Sequence, residues 1–165
     1  MSRRSFLNLL SGLGLGGAAA ATATATHAAS TPTRSDRVEL SDAEWKKRLS
    51  DAAYRVLRKE GTEPPHTSPL NAEKRAGSYH CAGCDLPLFA HTTKYESGTG
   101  WPSFYDPLPQ AVGTKTDYKL NLPRTEYHCA RCGGHQGHVF NDGPRPTGKR
   151  YCNNGVALRF VPEAA

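Results

Sequence analysis

Tyr79-His80-Cys81-Ala82-Gly83-Cys84 is nearly repeated by Tyr127-His128-Cys129-Ala130-Arg131-Cys132. Each Cys-x-x-Cys turn aims two sulfurs into one volume and offers backbone amides that stabilise thiolates, so two such knuckles complete a tetrahedron around zinc. The 44 residues between them, 85–128, exceed the spacing of a small zinc finger. A shared ion would therefore tie distant strands together instead of folding a local ribbon. The competing reading is two disulfides, which an oxidising destination would favour. Against it, Cys-x-x-Cys pairs closed on themselves are usually redox motifs and not structural staples. His80 and His128 precede the knuckles and could replace a sulfur; four thiolates suffice, so both read as structural histidines.

The rest of the chain explains the need for a staple. It has 165 residues, 37% hydrophobic and 8% aromatic, which is one domain with a thin core. One helix is clear. Ser41 and Glu44 form a capping box and Leu40 can staple against Trp45. Trp45, Leu49, Ala52/Ala53 and Val56 then recur at helical spacing until Arg58-Lys59-Glu60-Gly61 ends the run, predicting an apolar face that docks on the following domain. From Gly61 onward no segment keeps a helical period, and the 16 Gly and 12 Pro of the chain punctuate it often. Short alternating stretches at 86–89, 118–122, 139–140 and 156–161 predict strands. The expected fold is mainly antiparallel β with one N-terminal helix.

Ser2-Arg3-Arg4-Ser5-Phe6-Leu7, a weakly apolar Leu/Gly/Ala stretch and Thr/Ala alternation have the three-part layout of an export signal. The paired arginines resemble the twin-arginine consensus, with Asn8 where Lys is frequent. Gly12, Gly14, Gly16 and Gly17 keep the apolar region weak, as in such signals, and Ala23, Ala25 and Ala28 offer cleavage positions. An uncleaved anchor over 5–26 is the alternative, disfavoured by the Gly and Thr content. The expected division is a signal over 1–29, a Ser/Thr/Pro/Arg linker over 30–39 and one folded domain over 40–165. Its destination is periplasmic or otherwise extracytoplasmic, with no stable membrane insertion after cleavage. Export in the folded state would let zinc load in the reducing cytoplasm.

The 21 Lys+Arg against 15 Asp+Glu leave a net charge of +6, which falls to +4 without Arg3 and Arg4. Zinc on four thiolates would lower it by about two more. With no run of five like charges, the surface reads as mixed and solvated, and no nucleic-acid partner is expected.

Cys152, in Arg150-Tyr151-Cys152-Asn153-Asn154, is the odd cysteine. The Arg150 cation favours a thiolate, and on a strand Arg150, Cys152 and Asn154 share one face. A buried, hydrophobic-like cysteine is the commoner fate, but these polar neighbours point to a reactive thiol. His135-Gln136-Gly137-His138 lacks a third metal ligand, so an acid/base role fits better than metal binding. Turn signals at Asp142-Gly143-Pro144 and Pro146-Thr147-Gly148 could fold His138 back onto Cys152.

Together these pieces resemble the B-type methionine sulfoxide reductase family. Gly61-Thr62-Glu63-Pro64-Pro65, Lys94-Tyr95, Ser97-Gly98-Thr99-Gly100-Trp101-Pro102-Ser103-Phe104, Gly137-His138-Val139-Phe140, Asp142-Gly143-Pro144 and Arg150-Tyr151-Cys152 follow the family's order around the two knuckles. The resemblance covers about 40–161. It implies two small antiparallel sheets forming a barrel-like core, a structural zinc on Cys81, Cys84, Cys129 and Cys132, and thiol-dependent reduction of methionine-R-sulfoxide in peptides and proteins. It casts Cys152 as nucleophile, His138 as proton donor, Trp101 as the wall for the substrate methyl with Phe140 beside it, and Arg150, Asn154, Asp142 and His135 as supporting polar groups. Attack by Cys152 would release methionine and leave a sulfenic acid.

Where many members carry a resolving cysteine this chain has Thr99, so the expected cycle uses one cysteine and an external, thioredoxin-like reductant. Gln136 replaces a frequent Leu and Gly155 a common Ser. A monomer is expected. A non-enzymatic zinc module would leave Cys152 and Trp101 unexplained, and a dithiol oxidoreductase would be incompatible with metal-bound pairs.

Overall fold

The computed structural model describes residues 31–164. The signal expected over 1–29 lies outside the described residues. The stretch 31–39 has no helix or strand, yet it is tied to the body. Arg34 and Arg131 both grip Asp36, Arg34 also reaches the Gln110 carbonyl, and the Val38 amide donates to the Arg131 carbonyl.

Two helices replace the expected one: α1 (Asp42–Arg48) and α2 (Asp51–Lys59). The capping box at Ser41 forms as expected. The break comes because Ser50 is itself an N-cap, its hydroxyl accepting from the Ala53 amide, which forces Leu49 into extended geometry. The buried face holds Trp45, Ala53, Val56 and Leu57. Arg58 closes over the Trp45 ring at 4.8 Å and donates to the Cys132 carbonyl, so the helical pair is clamped to the second knuckle.

Nine strands follow: β1 (Gly77–Cys81), β2 (Pro87–Ala90), β3 (Lys94–Tyr95), β4 (Ser103–Phe104), β5 (Val112–Asp117), β6 (Arg124–Cys129), β7 (His135–Phe140), β8 (Arg150–Asn153) and β9 (Leu158–Pro162). They form two antiparallel sheets, β2-β1-β9 and β3-β4-β8-β7-β6-β5. The sheets do not close into the expected barrel. β3 and β5 stand at opposite edges of the larger sheet, and β3 and β4 are only two residues long. The core lies on one face of this sheet, where Phe89 stacks on Phe104 at 4.2 Å and Tyr127 meets Tyr151 edge-on at 5.2 Å.

The expected strands at 86–89 and 139–140 lie largely within β2 and β7, and 156–161 begins with a short 3₁₀ turn before β9. The stretch 118–122 is no strand. It is the exposed loop between β5 and β6, closed at its base by the Arg124–Asp117 ion pair at 2.6 Å. No helix among the described residues is long and apolar enough to cross a membrane.

Candidate active site and metal centre

Antiparallel pairing places directly opposed side chains on one face of a sheet. One row of partners runs across the larger sheet: Tyr95, Ser103, Cys152, His138, Glu126 and Lys115. His138 is thus the direct cross-strand neighbour of Cys152, the juxtaposition that the turns after β7 were expected to produce. Gly137 permits this close pairing, since a methyl group there would lie 1.9 Å from the Cys152 carbonyl oxygen.

Above the row is a cavity of about 130 Å³ walled by Trp101, Arg124, His138, Phe140, Cys152 and Asn154 among others. That volume suits one side chain, not a whole drug-sized ligand. Arg150, Asp142 and His135 do not line it. Arg150 is gripped by both carboxylate oxygens of Asp142, at 2.9 and 2.8 Å, and covers the Phe140 ring at 4.4 Å. His135 is buried behind His138, with its Nδ1 3.0 Å from a Glu126 carboxylate oxygen and its ring centre 5.5 Å from that of His138. Asn154 lies just beyond β8, so it does not share the face of Cys152 as a strand residue. It reaches the cavity because its amide bridges the Glu63 amide and the Gln136 carbonyl, both at 2.9 Å.

Burial raises the Cys152 thiol above the ordinary cysteine range, outweighing the Arg150 cation and the Thr99 hydroxyl that act the other way. This reverses the expectation that Arg150 makes a resting thiolate. Burial likewise lowers the His138 imidazole, against an opposing hydrogen bond that it donates to the Asp117 carboxylate. The resting site therefore pairs a protonated thiol with a neutral imidazole.

Asp117, Arg124 and Glu63 were not anticipated as site residues. Burial alone would raise the Asp117 carboxyl, but the Lys119 amide, His138 and Arg124 together hold it well below the carboxylate range. It sits 2.7 Å from His138 Nε2 and fixes that ring. Opposite charges flanking the alternating stretch 118–122 were its one sequence signal. Glu63 is a buried clip whose carboxylate accepts from the Gly155 and Val156 amides while its carbonyl holds the Trp101 indole N–H at 3.1 Å. It lies inside the Gly61–Pro65 motif but carried no assigned role there.

Asp117→Asn tests the fixing of His138. Removing the carboxylate removes an influence that raises the imidazole, and it leaves Arg124 pressing the ring further down. The His138 titration, followed by NMR, is expected to move to lower pH. Turnover at neutral pH should fall by about tenfold to a hundredfold, and thermal stability should fall as well because the partly buried Asp117–Arg124 ion pair is lost. An unmoved titration would show that Asp117 does not govern the ring.

The four knuckle sulfurs all lie within 4.8 Å of one another and belong to buried residues. Two contacts run between knuckles, Cys81 to Cys132 at 3.7 Å and Cys84 to Cys129 at 3.5 Å, and all five cysteines are free. Tetrahedral zinc with arms of about 2.3 Å needs sulfur–sulfur edges of about 3.8 Å, so the set fits the ion. Cys81 ends β1 in the smaller sheet and Cys129 ends β6 in the larger, so an ion here joins the two sheets. Gln136 donates to Cys81 Sγ at 3.4 Å and accepts from Asn153 at 3.4 Å, linking this cluster to the strand of Cys152.

The fold and site define a protein with one half-buried cysteine paired to a histidine, standing apart from a four-sulfur cluster suited to metal. Residues 49–162 match the SelR domain family. Across 127 residues the chain is 52% identical to the peptide methionine sulfoxide reductase MsrB of Leptospira interrogans, covering 76% of this chain and 97% of that one. It is 49% identical over 129 residues to the MsrB of Agrobacterium fabrum, 78% and 96% covered. With the chloroplastic peptide methionine sulfoxide reductase B1 of Arabidopsis thaliana it shares 50% over 128 residues, 77% and 63% covered. The chain belongs to the B-type peptide methionine sulfoxide reductase family, a family of oxidoreductases.

Proposed function

We propose that this protein reduces methionine-R-sulfoxide in peptides and proteins, through a sulfenic acid on Cys152. The carrying observation is the direct pairing of Cys152 with His138 in a cavity walled by Trp101. A sulfoxide sulfur is a poor electrophile until its oxygen is protonated, so acid and nucleophile have to reach the substrate together. The Cys152 proton passes to the neutral imidazole and on to the sulfoxide oxygen as the sulfur attacks. The S–O bond to the substrate breaks, an S–O bond to Cys152 forms, methionine leaves, and two electrons move from the cysteine to the substrate. Trp101, fixed by Glu63, receives the methyl group, and a single hand of sulfoxide then presents oxygen to His138.

Two external thiols would return the sulfenic acid to thiol as disulfide and water, because Thr99 stands where a resolving cysteine would and the other four cysteines are in the sulfur cluster. A thioredoxin-like protein is the natural source. Zinc on Cys81, Cys84, Cys129 and Cys132 would fill its coordination with sulfur and supply structure, not catalysis. In this reading residues 1–29 serve as a twin-arginine export signal and the repair takes place outside the cytoplasm, by a monomer without nucleic-acid or lasting membrane partners.

The test is turnover of a peptide carrying each methionine sulfoxide epimer separately, with dithiothreitol. Reduction of the R epimer alone is expected, with one sulfenic acid per chain trapped by dimedone at Cys152 when thiol is withheld. Reduction of neither epimer, or of the S epimer only, would overturn the reading.

A further inference from the structure

Among the described residues the exposed large hydrophobics are three, Tyr118 at 77%, Leu120 at 59% and Leu122 at 76%, and all lie in the β5–β6 loop. They alternate with Lys119 and Asn121, a strand-like pattern without a sheet beneath it. Leu120, Leu122 and Pro123 face Val139 and Phe140 across a groove of about 760 Å³. Arg124 and Phe140 wall both this groove and the catalytic cavity, so the two adjoin. The cavity holds about one side chain, so the backbone that carries the side chain has to lie along its mouth, where the groove begins. No carboxylate lines the groove, and its cations are already engaged, Lys119 with Glu60 and Arg124 with Asp117.

We propose that this groove is a docking subsite for the substrate polypeptide, taking an apolar side chain that flanks the oxidised methionine. The inference rests on the reductase reading. It makes the enzyme prefer methionine sulfoxides set in apolar sequence, such as segments buried in a native fold and exposed once oxidation loosens it. Burying apolar area on both leucines gives the affinity, and the neutralised cations exclude no neighbouring charge.

The test compares wild type with the Leu120→Ser/Leu122→Ser double variant on three substrates, each as the R epimer with dithiothreitol. These are N-acetyl-methionine sulfoxide amide, a heptapeptide with Phe and Leu flanking the sulfoxide, and the same peptide with Gly flanks. The variant is expected to lose about tenfold in kcat/KM on the apolar peptide, through KM, and to match wild type on the other two. Equal losses on all three substrates, or none on the apolar peptide, would overturn the proposal. So would a loss that appears only when thioredoxin replaces dithiothreitol, which would assign the groove to the reductant, or a wild-type dimer that the variant dissolves. Failure of wild type to reduce any of the three substrates would instead overturn the reductase reading itself.

Discussion

Cys152→Ser is expected to lower reduction of the R sulfoxide by at least about a thousandfold while leaving the fold intact. The hydroxyl is nearly isosteric, and Cys152 is only half-buried, so no cavity opens and β8 keeps its pairing with β4 and β7. What goes is the chemistry. A serine oxygen has no accessible higher oxidation state, so it cannot take the substrate's oxygen and supply two electrons. The check is a side-by-side measurement of kcat and of thermal unfolding. A variant within tenfold of wild type would mean that another group supplies the electrons. The raised thiol adds a second readout: alkylation of resting Cys152 should climb with pH into the range above an ordinary cysteine, because burial dominates Arg150.

That dominance marks a boundary of what residue order tells. Arg150 lies two positions from Cys152, and its charge does favour the thiolate, but its Asp142 partner and the depth of the site are tertiary facts. The sulfur cluster was legible because Cys-x-x-Cys carries its geometry locally, so only the meeting of two knuckles had to come from the fold. The pairing of His138 with Cys152 was half legible: turn chemistry announced a return, and the register that sets them opposite belongs to the sheet. Ser50 shows how a local signal is missed when a longer period runs through it. Its cap divides an apolar repeat that reads as one helix, and Trp45 and Val56 are buried either way. The stretch 118–122 misled for the opposite reason. Its period of two is that of a strand, but nothing pairs with it, and alternation without a partner edge leaves its leucines in solvent beside the catalytic cavity. Asp117 follows from the same hairpin, since only closure of β5 on β6 brings its carboxylate to His138.

Withdrawing metal from the knuckles is expected to unfold the domain. The ion would sit where β1 of the smaller sheet meets β6 of the larger, beneath the helical pair that Arg58 clamps to the second knuckle. Four-sulfur zinc sites contribute apparent folding free energies of about 10 kcal/mol or more, comparable to the whole stability of a domain this size. Trp45 is a built-in reporter, being 2% exposed and packed over Gly83 of the first knuckle. Treatment with a strong chelator should shift its fluorescence to that of solvated indole, with loss of β signal in circular dichroism and of turnover together, and added zinc should restore all three. Cys84→Ser should reproduce much of the effect, since one hard oxygen in place of a thiolate weakens the site and the residue lies in the buried set. The disulfide alternative makes the reverse forecast, stability to chelator and collapse on reduction. The dithiothreitol that turnover consumes then becomes informative, because a domain that works in millimolar thiol and fails in chelator is held by metal, whereas one that fails in thiol would return the four sulfurs to two disulfides.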